Sequence, residues 1–189
     1  YADFAWVRNQ GINGPVFALL ALDSRNYLSG SAVRRQCVDA ILAAELSGGG
    51  WAMSGAAADP DVTAMVLQAL AAYRGEAAVA AAVSRGVDTL SAMQNGDGGF
   101  TSWGSANAES VAQVIVACTA LGIDPDTDSR FVKDGGSAVD ALLTFYDADA
   151  AAFRHKASGG TDSLATEQAV YALVAVSRFQ RGQSGLYQE

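Results

Sequence analysis

Acidic side chains stand at or near the start of three apolar stretches of the chain. With the amide Asn107, they are Asp59, Asp61, Glu109, Asp162 and Glu167. Paired carboxylates can act as acid and base across a cleft, or bind Ca²⁺. The same positions suit a helix start, because an Asp side chain caps free N–H groups and favours the positive end of the helix dipole. No calcium-loop spacing is present. We therefore predict helix caps that together form an acidic mouth.

The other residues that could take part in catalysis or bind a metal do not form a recognisable site. His155 is the only histidine, and no serine-nucleophile motif accompanies it. Cys37 and Cys118 lie in separate apolar patterns, and neither a CxxC spacing nor an Asp-x-Cys zinc element occurs. We expect no metal and no cofactor, and two buried free thiols rather than a disulfide.

Three aromatic side chains accompany glycine-rich segments. Trp51 follows three glycines, and Phe100 and Trp103 follow Gln94–Gly99. Because glycine reaches positive φ, these segments predict tight links between helices, with an aromatic ring packed over each link. The alternative is an aromatic rim on which a sugar or another ring system stacks. If φ is positive at Gly99, a valine there is expected to destabilise the fold.

The acidic and aromatic segments recur, each followed by a similar apolar helix. Aligned on that helix, the copies register at Pro15, Thr63, Val111 and Thr166. The period is roughly 50 residues, which is typical of repeat architectures.

The apolar periodicity predicts two alternating kinds of helix. Surface helices with one apolar stripe are predicted over 32–46, 76–93 and 137–146. Buried helices that are apolar nearly all round are predicted over 15–23, 61–73, 108–121 and 164–179. A further helix is expected to end within 1–10, and no strand pattern is found.

These helices predict an all-α fold, in which inner helices lie side by side beneath outer helices as in an α/α toroid. About four αα-hairpins form only a partial ring, so residues 1–189 are expected to be one domain, the C-terminal part of a longer toroid. An upstream segment of the same protein is expected to cover the first hairpin. Three polar residues of the inner helices, Gln113, Gln168 and Tyr171, either bond across neighbouring hairpins or line a cavity.

Composition narrows the choice of partners. The formal net charge of −8 repels phosphate, so nucleic-acid binding is not expected. No run of eighteen apolar residues occurs, so we expect no membrane insertion. The first residues show neither an initiator Met nor a signal peptide, so we expect an excised fragment whose targeting signal lies elsewhere.

Several segments resemble a known family. Gln94–Phe100, followed by Trp103, looks like the Gln-to-Trp repeat of terpene cyclases and protein prenyltransferase β subunits, and Gly49–Trp51 looks like a second copy. A resemblance to bacterial prenyltransferase/squalene oxidase repeat proteins extends over 59–64, 107–113, 122–125 and 166–187. The resemblance covers nearly the whole chain and implies an α/α toroid.

The resemblance also bears on activity. Squalene cyclases start cyclisation with a protonated Asp of an Asp-x-Asp-Asp motif. Here the segment Asp59–Pro60–Asp61 is followed by Val62, which stands where the last Asp would be. We therefore expect a non-catalytic domain. The resemblance to bacterial surface members of this repeat family further implies an extracellular or cell-surface bacterial protein.

A small molecule, a glycan or a protein is expected to bind at the acidic mouth. The expected contact residues are Trp51, Asp59, Asp61, Phe100, Trp103, Asn107, Glu109, His155, Asp162 and Glu167. The alternative is an enzyme, either terpenoid cyclase- or prenyltransferase-like or carbohydrate-active. It would need a deep aromatic pocket with a desolvated carboxyl group of raised pKa. A structural spacer would instead show a filled ring.

Overall fold

The computed structural model describes residues 4–187, and helices dominate this part of the chain. The α-helices are α1 Phe4–Arg8, α2 Asn13–Asp23, α3 Val33–Ala43, α4 Pro60–Leu70, α5 Ala77–Met93, α6 Ala108–Ala120, α7 Ala138–Leu143 and α8 Ser163–Gln180. A 3-10 turn, Ala71–Tyr73, extends α4. The predicted bounds agree with the structure to within a few residues. Among them, α3 and α7 each end three residues earlier than predicted, and a β-ribbon begins at Tyr146 soon after α7.

Three antiparallel ribbons accompany the helices, so the fold is mostly α rather than purely α. Their strands are β1 Thr101–Ser102, β2 Ser105–Ala106, β3 Val132–Lys133, β4 Gly136–Ser137, β5 Tyr146–Asp147 and β6 Ala152–Phe153. β1 pairs with β2, β3 with β4 and β5 with β6. The prediction missed these strands because two residues are too few to show an alternating pattern.

The helices form an inner row and an outer layer. In the inner row, α4 packs between α2 and α6, and α6 packs between α4 and α8. On the outside, α3 packs on α2, α5 on α4, and α7 on α6, while α1 contacts α2 and α3. Burial follows the same division, since α4 and α6 are buried on most sides whereas α5 keeps one exposed face. The alternation of outer and inner helices is therefore confirmed.

The segments before α4 and α6 adopt equivalent positions. The backbone N–H of Asp59 donates to the carbonyl of Trp51 over 2.9 Å, and that of Asn107 donates to the carbonyl of Phe100 over 3.4 Å. Each aromatic residue therefore closes a loop onto the residue that starts the next inner helix. Trp51 and Phe100 therefore occupy equivalent loop positions.

A third copy of this loop precedes α8. The N–H of Asp162 donates to the carbonyl of Phe153 over 2.8 Å. The hydroxyl of Thr166 accepts a bond from the N–H of Phe153, as the hydroxyl of Thr63 does from the N–H of Trp51. Thr63 and Thr166 are the positions on which the repeats were aligned, so this alignment reflects real contacts.

The glycine requirement falls one residue earlier than expected. Gly98, not Gly99, has positive φ, at +85°. A Cβ on Gly98 would lie 2.4 Å from the carbonyl oxygen of Ser137, far inside contact distance. Because φ is not positive at Gly99, the reason given for a destabilising valine there does not apply. Gly98 is the glycine that the turn requires.

Both cysteines are free and buried, as expected. Within residues 4–187, no helix has the length and apolarity needed to span a membrane.

Candidate functional site

The N-terminal ends of α4, α6 and α8 carry the predicted caps. The Oδ1 atom of Asp59 accepts bonds from the N–H groups of Asp61 and Val62 at 3.0 and 3.1 Å. The Oδ1 atom of Asn107 accepts from the N–H of Ser110 at 2.8 Å. Capping by Asp59 and Asn107 is confirmed.

The cap of α8 follows the same rule. The Oδ1 atom of Asp162 accepts from the N–H of Ala165 at 2.9 Å. No contact in the described part of the chain joins Asp162 to the carboxylates of α4 and α6. Glu167 lies exposed on α8 and likewise has no such contact. These two predicted contact residues therefore stand apart from the rest.

The second carboxylate oxygen of Asp59 connects α4 to a neighbouring ribbon. Its Oδ2 atom accepts a 2.6 Å bond from the hydroxyl of Ser102, in β1, which lies 43 residues away in sequence. Ser102 is buried. Sequence reasoning missed it because no local pattern relates residues this far apart.

Asp61 differs from the capping carboxylates. Its Oδ1 atom is buried and has no hydrogen-bond partner among the described residues. Burial raises the pKa of Asp61, and the negative charges of Asp59 and Glu109 raise it further, while the hydroxyls of Ser110 and Ser102 act in the opposite direction. The expectation that Asp61 shares in capping is not met, because only Asp59 accepts the cap bonds.

Glu109 and His155 form a pair beside Asp61. The Nδ1 atom of His155 lies 2.9 and 2.8 Å from the two carboxylate oxygens of Glu109. The backbone carbonyl of His155 also accepts a bond from the N–H of Ala108 at 3.1 Å. These contacts fix the loop before α8 against the start of α6. The structure therefore brings Asp59, Asp61, Glu109 and His155 together.

The aromatic residues do not form a shared rim. Trp51 and Phe100 are fully buried, and the indole N–H of Trp51 donates to the carbonyl of Ile41 over 2.8 Å. A ligand therefore cannot stack on either ring unless the core opens. This outcome corrects the expected ligand contacts at these two positions. Trp103 alone is exposed, at 85%, in the turn between β1 and β2.

The backbone at Trp103 is unusual for a bulky residue. Its φ is +50°, and φ of the following Gly104 is +78°. Two successive positive φ values suit the tight turn of a two-residue hairpin, but a Cβ at the first position is unfavourable. The turn thus holds an exposed indole in a conformation that its own side chain disfavours.

A ladder of amides crosses the inner row, from the C-terminal end of α4 through the middle of α6 to the second turn of α8. The side-chain nitrogen of Gln68 donates to the Oε1 atom of Gln113 over 3.0 Å, and the nitrogen of Gln113 donates to the Oε1 atom of Gln168 over 3.1 Å. Of the two alternatives for Gln113 and Gln168, the structure shows bonding across hairpins. Burial raises the pKa of Tyr171, which lies near Gln113 and Asp61.

The site meets one of the two requirements set for an enzyme. A desolvated carboxyl group of raised pKa is present at Asp61. The rings of Trp51 and Phe100, which the enzyme alternative would need in an aromatic pocket, are instead fully buried in the core. A cavity of about 520 Å³ lies elsewhere, between α1, the start of α2, and α3. Within the described residues, no group of three or more His, Cys, Asp or Glu side chains could hold a metal ion.

Comparison with protein families places this geometry in a known context. The sequence profile of the squalene-hopene cyclase C-terminal domain matches residues 18–175, which include all four inner helices except the ends of α2 and α8. Comparison with curated proteins gave no match.

Proposed function

The chain belongs to the squalene-hopene cyclase C-terminal domain family. Because Val62 stands where the last Asp of the cyclase motif would be, we propose that this member is a non-catalytic ligand-binding domain. The domain of this family is an α/α toroid. Here α1–α8 form four αα-hairpins of a partial ring. The binding site lies at the N-terminal ends of α4 and α6 and comprises Asp59, Asp61, Glu109, His155 and Trp103.

One observation carries the proposal: the buried Oδ1 atom of Asp61 has no partner among the described residues. A buried polar atom without a hydrogen bond costs about 1–3 kcal/mol, so its retention is informative. The cap atoms of Asp59 and Asn107 are satisfied by backbone N–H groups. Asp61 therefore has the unused bonding capacity that a ligand would satisfy.

The electrostatics of the site restrict the ligand. Asp59 and Glu109 place negative charge beside Asp61, and the whole chain carries a net charge of −8. Phosphates and diphosphates are repelled by such a site. An uncharged polyol such as an oligosaccharide, or an amine, fits the carboxyl groups, and the exposed ring of Trp103 offers a stacking surface.

The resemblance to bacterial surface proteins bears on where the domain works. We propose that the domain works outside the cell or at the cell surface, and that an upstream segment of the same protein covers the first hairpin. Support for the second point comes from the exposed apolar side chains near that hairpin, among them Trp6, Tyr27 and Leu28.

The experiment is a thermal-shift and calorimetry screen of the full chain. The probes are neutral oligosaccharides, spermidine, cyanocobalamin and farnesyl diphosphate. A probe at 100 times its dissociation constant stabilises the native state by about 2.7 kcal/mol. We expect an oligosaccharide or spermidine to bind, and Asp61→Asn and Trp103→Ala to weaken that binding at least tenfold.

Asp140→Asn is the matched control. Asp140 belongs to the capping box of the outer helix α7, where an amide oxygen can still accept the bond from Ser137. This variant should bind like the wild type. The proposal fails if no probe stabilises the wild type, or if binding is unchanged in both site variants.

A second candidate function rests on the raised pKa of Asp61 itself. A carboxyl group of raised pKa keeps its proton to higher pH than an ordinary one. It can donate that proton to a carbon–carbon double bond, leaving a carbocation on the substrate and a carboxylate on Asp61. This candidate predicts conversion of an uncharged polyprene hydrocarbon, lost in Asp61→Asn. Absence of any product in the wild type after prolonged incubation would reject it.

A further inference from the structure

The chain reverses direction after α8. The N–H of Gly182 donates to the carbonyl of Phe179, and the N–H of Gln183 donates to the carbonyl of Arg178, both over 2.9 Å. Gly182 has φ of +64°, as expected for a left-handed residue just after a helix end. The following residues are thereby turned back along the molecule.

Arg178 holds the segment that follows. Its Nε atom donates to the carbonyl of Ser184 and a terminal nitrogen donates to the Ser184 hydroxyl, each over 2.9 Å. The residues Gly185–Tyr187 then lie against the inner helices, facing Gln68 of α4 and Val116, Thr119 and Ala120 of α6. Leu186 packs on the hydrophobic core.

The segment Gly185–Tyr187 is held only weakly against the inner helices. Within residues 4–187, its backbone groups form no hydrogen bond to the backbone of a helix. A void of about 30 Å³ remains beneath the segment. A void forfeits dispersion contacts, and a segment with few contacts opens locally at low free energy.

The segment lies on the same helix face as the proposed site. On α4, Asp61 and Met65 are the two residues that are not buried, and Gln68 follows them at helical spacing on that face. The face therefore runs from the acidic mouth to the segment. A ligand bound at Asp61 that extends along α4 meets Leu186 after about two turns.

We infer that Ser184–Tyr187 is a releasable strap that closes the far end of the inner face and limits the length of ligand that binds there. The role in limiting ligand length rests on the proposed function; the covering of the helices does not. Release exposes the side chains of Val116 and Ala120, with the amide of Gln68 at the edge.

The test measures exposure of the inner face with the uncharged dye Nile red. The variants are a chain ending at Gln183 and the full chain with Leu186→Ala. Each should increase Nile red fluorescence several-fold. Leu143→Ala is the control, because Leu143 is a half-exposed leucine of the outer helix α7, and it should leave the fluorescence unchanged.

Hydrogen exchange of the wild type provides the second measurement. The amides of Leu186 and Tyr187 should exchange at least a hundredfold faster than those in the middle of α6. Equal fluorescence of the wild type and both variants would overturn the strap, as would protection of Leu186 equal to that of α6. The Leu186→Ala chain keeps the test valid should the shortened chain fail to fold.

The outcomes separate this inference from the proposed function. Asp61→Asn should leave Nile red fluorescence unchanged, because Asp61 does not contact the strap. With oligosaccharides of increasing length, the full chain should lose affinity beyond a limiting length and the shortened chain should not. If no oligosaccharide binds but dye exposure changes as expected, the proposed function fails and the strap stands.

Discussion

The inner helices carry polar groups in two regions, and the two differ in how completely those groups are paired. Along the inner faces of α4, α6 and α8, the amides of Gln68, Gln113 and Gln168 bond to one another in sequence. At the N-terminal ends, Asp59 is satisfied, whereas one oxygen of Asp61 is buried without a partner within residues 4–187. The polar groups of the first region are paired with one another, whereas the second region contains a buried oxygen without a partner.

The difference separates polar residues that stabilise the fold from those available to a ligand. A partly buried amide bonded on both sides holds neighbouring hairpins in register, as Gln113 does for α4 and α8. A buried carboxyl oxygen with no donor contributes nothing to stability and costs free energy. The residue type alone does not distinguish them, because both kinds stand on inner helices with apolar surroundings.

The largest effect is expected at the centre of the amide ladder. Gln113→Leu removes the side-chain partner of both Gln68 and Gln168, while Gln68 keeps its 3.2 Å bond to the backbone carbonyl of residue 113. We expect a loss of about 2–4 kcal/mol in the free energy of unfolding. Urea denaturation measures it. In the double variant with Gln68→Leu, the loss should be smaller than the sum of the two single losses. Additive losses would show that the amides act independently and would break the comparison.

The next effect concerns a satisfied carboxylate at the open region. Asp59→Ala removes the cap of α4 and the bond to Ser102, and should cost about 1–2 kcal/mol. Asp59→Asn keeps an oxygen for the cap and should cost less. Thermal unfolding distinguishes the two variants. Equal losses would mean that the charge of Asp59, and not its cap bond, stabilises the helix.

Asp61→Asn should stabilise the folded chain at neutral pH, whereas the Asp59 variants destabilise it. Burial raises the pKa of Asp61 above its ordinary value of 3.8, so the folded chain binds this proton more tightly than the unfolded chain. Its stabilising contribution is present below pH 3.8 and is lost as the pH rises through the folded pKa. The asparagine variant should therefore be more stable by about 1 kcal/mol at pH 7, with the gain vanishing in acid.

Urea denaturation between pH 3 and pH 8 measures this profile. The matched control is Asp140→Asn, in the satisfied capping box of α7, which should not become more stable at pH 7. A wild type that is as stable as Asp61→Asn at every pH would show that Asp61 is not desolvated.

The smallest effect is expected at Trp103. An asparagine tolerates positive φ and precedes Gly104 in the pairing that such turns favour, so Trp103→Asn should stabilise by about 0.5 kcal/mol. With the indole 85% exposed, little packing is lost. Trp103→Val, which is β-branched, should instead destabilise the chain. A loss of stability on asparagine substitution would reveal packing that the exposure does not show.

Much of the fold could be predicted because its signals are local. The helix bounds follow from apolar periodicity within each segment, and Asp59, Asn107 and Asp162 start their helices through bonds that span only three residues. The alignment of Thr63 with Thr166 also held, because both hydroxyls bond to the preceding loop. The ribbons were missed because their strands are too short for a periodic signal.

Most burial and contacts of the candidate site could not be predicted from such local patterns. Trp51, Phe100 and Trp103 share a sequence context, yet packing against the helices buries the first two and leaves the third exposed. Ser102 reached the carboxylate of Asp59, and His155 that of Glu109, only when the chain had folded.

The sequence by itself determined where the helices begin and end and which residues cap them, because both depend on neighbours within one or two turns. Only the tertiary structure decided which polar groups are satisfied. Ser102, which bonds to the second oxygen of Asp59, and the amide partners of Gln113 lie more than 40 residues away in sequence. The burial that leaves the Oδ1 atom of Asp61 without a partner among the described residues depends on how α4 and α6 pack together.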